Sequence, residues 1–322
     1  MDILVCVKRV PTVGGTIVVT PDGQDLVTRM SGFTVSPHEE CAVEEAVRIV
    51  ERLGGSVTVL TLGPPEAVDQ LRDMLALGAG HALLLETGGL GADSRGADGG
   101  GADGREWGPI ATAAAISDAA RRRAEGPDGG YDLLLFGNEA ADTGDFQVAV
   151  RVAYALGLPC LTGIKNLEIS VGGDGGAGAA GDGGAGVAGG GGAGAAGGGG
   201  AGASGGGGTG AGEVEGAGAG EGVRARARRE YRGVEEIFDV ALPAVVSVKE
   251  GINLPRYPSL PGRLRAKRAI IERFAPEWHS EGLHKERLRV PEGEQKRAQI
   301  LGTGPDAVPA LVRLLDELGV LS

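Results

Sequence analysis

Hydrophobic positions along this chain come in short blocks, and the blocks alternate in kind. Ile3, Leu4, Val5 and Val7 form a β-branched-rich run that predicts a buried strand over residues 2–9. Residues 15–29 predict a short excursion: Thr16-Ile17-Val18-Val19 goes out, Pro21-Asp22-Gly23 turns, and Leu26-Val27-Thr28 returns. Ser36-Pro37-His38-Glu39 is a capping box with proline at the first helical position. Ala42, Ala46, Ile49, Val50 and Leu53 follow at helical spacing, and Gly54-Gly55 ends the helix. Glu39 and Glu40 suit the positive end of its dipole.

The same alternation continues. Strands are predicted at Val57–Leu62, Ala82–Leu85, Tyr131–Phe136 and Ala241–Val248, the last taken as the final strand of the sheet. Helices are predicted at 67–77, 109–124 and 147–156, with 307–318 as a closing amphipathic helix. Strands alternating with helices imply βαβ units, hence an α/β fold with a doubly wound, mostly parallel sheet. Residues 1–250 read as this domain, 251–268 as a Pro- and Arg-rich loop, and 269–322 as an extended C-terminal arm.

Composition changes the picture in two places. Of 322 residues 62 are glycine, concentrated in 172–222, and a second Gly/Asp-rich stretch occupies 87–105. The longer tract cannot bury enough apolar surface to offset backbone ordering, so disorder is expected there. Its flanks, Asn166–Val171 and Val223–Tyr231, read as strands, which makes the tract an enlarged hairpin loop. Chance G-x-G-x-x-G matches inside it neither follow a strand nor open a helix.

A net charge of −12 and 3 % aromatic residues argue against a nucleic-acid partner. Cys6, Cys41 and Cys160 are odd in number and far apart, which fits a reducing compartment better than a disulfide framework or zinc site. No export signal and no membrane span is read from the sequence, so a cytoplasmic location is expected.

No nucleophile–base set is recognisable, the four histidines (His38, His81, His279, His284) being scattered. The expectation is therefore a protein without catalytic residues of its own. Loops at strand ends are the places for a ligand in an open α/β sheet. They are Cys6–Arg9, Ser36–Glu39, Leu62-Gly63-Pro64 and the glycine-punctuated run Gly137-Asn138-Glu139-Ala140-Ala141-Asp142-Thr143-Gly144-Asp145-Phe146-Gln147-Val148. The last leads into a helix whose first amides suit a phosphate.

Several runs resemble the β subunits of electron-transfer flavoproteins. Leu4-Val5-Cys6-Val7-Lys8-Arg9-Val10 is similar to their opening strand, and Ser36-Pro37-His38-Glu39-Glu40-Cys41-Ala42-Val43-Glu44-Glu45-Ala46 to their Asn-Pro-x-x-Glu-x-Ala-Val-Glu-Glu-Ala helix start. Met74–Gly80 resembles a characteristic turn. The most specific likeness is Leu242-Pro243-Ala244-Val245-Val246-Ser247-Val248 followed by Asn253, Pro255-Arg256-Tyr257-Pro258-Ser259-Leu260-Pro261 and Arg265-Ala266-Lys267. The likeness spans the chain apart from 87–105 and 172–222.

The resemblance implies a fold of the adenine nucleotide α-hydrolase type and an electron-carrier role in a heterodimer with an α subunit that holds, or shares, FAD. It implies AMP in this subunit, contacted by Cys6, Ser36, Pro37, His38, Glu39, Leu62 and Gly137 to Val148. It implies a recognition loop, with Arg256, Tyr257, Leu260 and Arg265 docking onto acyl-CoA-type dehydrogenases, a quinone oxidoreductase as acceptor, and a place in fatty acid oxidation. The loop 137–148 departs from the usual AMP pattern, keeping Gly137, Ala140, Asp142 and Gln147, while Gln147-Val148 is similar to a branch whose β subunit binds its own FAD and bifurcates electrons. AMP and FAD therefore both stand, and a stand-alone adenine-nucleotide module is the rival from another class.

Overall fold

The computed structural model describes residues 1–12, 18–28, 32–87, 107–171, 222–280, 286–290 and 300–320. The glycine tract (172–222, all but its last residue), nearly all of 87–105, Thr16, Ile17 and His284 lie outside the described residues. The chain divides into two units: Met1–Thr16 with Thr28–His284, and Ile17–Val27 with Lys285–Ser322.

The larger unit opens with β1 (Asp2–Cys6), then the two-residue strands β2 (Val10–Pro11) and β3 (Phe33–Thr34), which pair antiparallel. Next come α1 (Pro37–Leu53), β4 (Ser56–Gly63), α2 (Val68–Leu77), β5 (His81–Glu86), α3 (Pro109–Ala124), β6 (Leu133–Gly137) and α4 (Val148–Leu156). The strands β7 (Cys160–Ile164), β8 (Asn166–Ser170), β9 (Arg224–Tyr231), β10 (Val234–Ala241) and β11 (Ala244–Val248) follow, then α5 (Leu260–Arg268) and β12 (Glu272–Phe274).

Seven strands form the central sheet in the order β12-β5-β4-β1-β6-β11-β7, and every pairing in it is parallel. The period-2 alternation of β1 sends Ile3 and Val5 into one hydrophobic cluster and Leu4 and Cys6 into another. The first cluster takes in α1, α2 and the small β8–β10 sheet, and the second takes in α3 and α4. The result is a sheet covered on both faces, the doubly wound α/β arrangement.

Two elements correct the reading from sequence. The strand at Ala244–Val248 is not the last of the sheet, because Glu272–Phe274 pairs parallel with Leu83–Leu85 at its edge. Residues 260–268, read as loop, form α5: Ser259 Oγ accepts the Gly262 N–H at 3.1 Å, and Arg72 Nη1 donates to the Ala266 and Lys267 carbonyls at the other end. The hairpin expected around the glycine tract is present as β8 antiparallel to β9, with Ser170 opposite Arg224.

In the smaller unit Val19 and Leu26 form an antiparallel bridge. Gln24 Nε2 donates to the Glu286 carbonyl and the Leu288 N–H to the Gly23 carbonyl, both at 2.6 Å. Its helix α6 (Val308–Glu317) buries no residue. Among the described residues no helix is long and apolar enough to cross a membrane, and no group of acidic, His or Cys side chains is placed to hold a metal.

Candidate functional site

The chain runs from β1 to β4 and β5 on one side of the sheet, then returns to place β6 on the other side of β1. Strand order therefore reverses between β1 and β6, and a crevice opens beyond their carboxyl ends. It holds a cleft whose empty space, open solvent at its mouth included, is about 550 Å³. One wall is apolar: Leu60 and Leu62 of β4, Ile116 of α3, Phe136 of β6 and Val148 and Ala149 of α4. The other is polar and comes from Cys6, Lys8, Glu39 and the loop residues Asn138, Glu139 and Asp145, with Gly137, Ala140 and Phe146 between.

Of the residues expected to contact a nucleotide, Cys6, Glu39, Leu62, Gly137, Asn138, Glu139, Ala140, Asp145, Phe146 and Val148 meet at this cleft. Ser36, Pro37, His38, Ala141, Asp142, Thr143, Gly144 and Gln147 do not line it. Several of these shape it from behind. Glu39 Oε2 accepts the Ser36 N–H at 3.3 Å, completing the capping box that aims the first turn of α1 at the crevice. His38, expected from the resemblance to contact the nucleotide, is partly buried: its Nδ1 accepts the Glu250 N–H at 2.9 Å and its Nε2 faces Glu139 at 3.7 Å. Asp142 is bound by the Lys8 ammonium at 2.7 and 2.8 Å.

The loop from 137 to 147 is stiffened from within. Ala140 N–H donates to the Asp145 carbonyl at 3.0 Å, Gly144 N–H to the Ala140 carbonyl at 2.7 Å, and Asp145 Oδ1 accepts the Gln147 N–H at 2.8 Å. Gly144 sits at φ +65°, where a side chain is strained. Asn138 is fixed at both ends, its N–H on the Val248 carbonyl and its Oδ1 accepting from Ser247 Oγ. Leu60, Ile116, Phe136 and Ala149 line the cleft without having been singled out from sequence, whereas Lys8 lies within the strand-end segment Cys6–Arg9.

Gly137 is where β6 passes closest to α1. A Cβ there would lie 2.7 Å from Glu39 Cγ and 3.1 Å from His38 Cβ. Gly137→Ala should displace the first turn of α1 and destabilise the protein by about 1–3 kcal/mol, read by thermal unfolding. A variant as stable as its parent would mean that α1 can move aside freely.

One carboxyl group and one thiol at the site are shifted by burial. Desolvation raises the Glu39 carboxyl to about 8, against hydrogen bonds from the Lys8 and Ser36 backbones and the charge of Lys8. Burial pushes the Cys6 thiol up as well, with the Glu39 charge adding to it, so it is no ready nucleophile.

The residues expected to dock a partner follow β11. Leu260 and Tyr257 are exposed, at 72 % and 97 %, with Leu254 and Leu264 exposed nearby. Arg256 instead spends its guanidinium inside the chain, on Glu44 and Glu51 of α1. Arg265 donates to the Leu75 carbonyl at 3.4 Å.

A parallel sheet with a polar crevice at its switch point defines the doubly wound class of α/β protein, whose ligand sites lie at such crevices. Residues 26–188 match the family model for the electron transfer flavoprotein domain. The chain is 28 % identical over 240 residues to the electron transfer flavoprotein subunit beta of Bacillus subtilis, covering 74 % of this chain and 66 % of that one. It is 32 % identical over 168 residues to protein FixA of Azorhizobium caulinodans (52 % and 54 %), and 32 % identical over 168 residues to the acryloyl-CoA reductase electron transfer subunit gamma of Anaerotignum propionicum (51 % and 56 %). The chain thus spans just under two thirds of the first of these relatives and little more than half of the other two. It belongs to the electron transfer flavoprotein family, with the β subunits.

Proposed function

We propose that this chain is the β subunit of a heterodimeric electron-transfer flavoprotein, taking electrons from dehydrogenases of the acyl-CoA type and passing them on through a quinone oxidoreductase. The observation that carries this reading is the cleft at the β1/β6 switch point, built from the family's own strand-end segments. An adenine nucleotide suits it: the apolar wall of Leu60, Leu62, Ile116 and Phe136 accepts a purine face, and the N-terminus of α4 suits a phosphate. In this reading the nucleotide here is AMP and serves structure, while the redox flavin is held mainly by the α subunit. The flavin supplies the electron chemistry, and this chain supplies position and a docking face.

Purifying the chain with its α subunit, denaturing the complex and identifying the released nucleotides by mass tests this directly. One AMP and one FAD per heterodimer are expected. Two FAD and no AMP would overturn the AMP assignment in favour of a bifurcating type. ATP turnover by the lone chain would favour a stand-alone module.

The exposed Leu260 at the start of α5 is the anchor of the proposed docking face. Leu260→Ala should raise the KM of a partner acyl-CoA dehydrogenase for the complex by about tenfold or more, with flavin content unchanged. An unaltered KM would remove this leucine from the interface.

A further inference from the structure

Glu39 is 6 % exposed and lines the cleft, so a carboxyl group is buried against the candidate ligand site. Its carboxyl is held by backbone donors, the Ser36 N–H at 3.3 Å and the Lys8 amide. The Lys8 ammonium that acts on it is itself bound by Asp142 at 2.7 and 2.8 Å. Opposite stands Gly137, which offers no side chain. The other titratable groups around it are Cys6 from β1, Glu139 and Asp145 from the loop after β6, and His38 beside it on α1. None of these supplies an uncommitted cation, and two are acidic.

An ionised Glu39 would face a nucleotide's phosphate, or the lone pair of a purine ring nitrogen, as a like charge in a poorly solvated site. A protonated carboxyl reverses this relation, because it carries an O–H donor. We propose that Glu39 is a specificity-determining residue of the cleft, entering as the neutral acid and donating its O–H to an acceptor on the nucleotide, so that binding is linked to a proton. Burial outweighs the backbone donors and the Lys8 charge and leaves the group at about 8, which keeps that proton in place at neutral pH. The inference rests on the reading of the cleft as an adenine-nucleotide site.

The test is isothermal titration of the nucleotide-stripped full-length chain with AMP, adenosine and FAD at pH 6.5 to 9.5, in buffers of different ionisation heat. For the ligand that binds, the Kd should rise about tenfold between pH 7 and pH 9, with proton uptake on binding near pH 8. Glu39→Gln, a neutral donor of the same shape, should keep the affinity and flatten the profile. A linked profile for adenosine as well as AMP assigns the acceptor to the base, and one for AMP alone assigns it to the phosphate. A flat wild-type profile without proton uptake overturns the proposal, as does a slope that survives in Glu39→Gln. Failure of all three ligands to bind at any pH sinks the nucleotide reading itself, and the proposal with it.

Discussion

Replacing Arg256 with alanine should cost about 3–5 kcal/mol of stability and free the segment that follows β11. Its Nε lies 2.8 Å and its Nη2 3.2 Å from the Glu44 carboxylate, and its backbone N–H also reaches Glu44 at 3.2 Å. A second pair of bonds, 2.6 and 2.9 Å, runs to Glu51. Glu44 has only 2 % of its side chain exposed. Burial by itself pushes its carboxyl up, and the hydrogen bonds from Arg256 and Arg48 outweigh that and hold it below the usual range. Without Arg256, Arg48 alone answers a buried negative charge. Arg256→Lys should recover only part of the loss, because an ammonium cannot make the forked contacts. Urea unfolding of both variants checks the order. An alanine variant within 1 kcal/mol of its parent, or a lysine variant no better than alanine, would contradict it.

Stability should also fall as the pH rises from about 4.5 to 8, through Glu39. The folded state holds this proton to about 8, while the unfolded chain releases it near 4.5. Its contribution is fully present below the unfolded value and is lost as pH rises through the folded one, since each unit in between costs about 1.4 kcal/mol of differential ionisation. The window between these two values amounts to a loss of about 5 kcal/mol. Glu39→Gln removes this group's titration and leaves the others. The gap in stability between Glu39→Gln and the parent should therefore widen in favour of the variant from pH 5 to pH 8.5. A gap that stays constant across that range would show that Glu39 is not held as the acid.

Much of this architecture was legible in the residues. The Ser36–Glu39 box gave α1 its start, and the strand–helix alternation gave a sheet whose pairings are all parallel. What escaped the reading has physical reasons. Strand β7 carries Gly163 at φ +72° and two residues with hydroxyl or thiol side chains, so no hydrophobic run marks it. Helix α5 carries Pro261 and Gly262 in its first turn, which read as loop, although Ser259 ahead of them is a proper N-cap. Strand β12 is three residues long and earns its place only by pairing with β5, a tertiary fact without local period.

The cleft shows the same division. Its strand-end loops follow from the alternation of elements, whereas the Lys8–Asp142 pair joins residues 134 apart, and Ile116 reaches it from the middle of α3. Arg256 was expected to dock a partner on the strength of the resemblance, and its engagement with α1 became visible only with the helix beside it.

The pairing of Ser170 with Arg224 has a consequence for the gene as well as for the fold. The chain leaves and re-enters the small sheet at two points directly across from each other, so the register of β8 and β9 is independent of what joins them. A two-residue turn such as Asn-Gly in place of 171–223 would meet the same closure condition. The length of DNA between those codons is thus free to drift, and the junction is a port into which a reporter domain could be spliced.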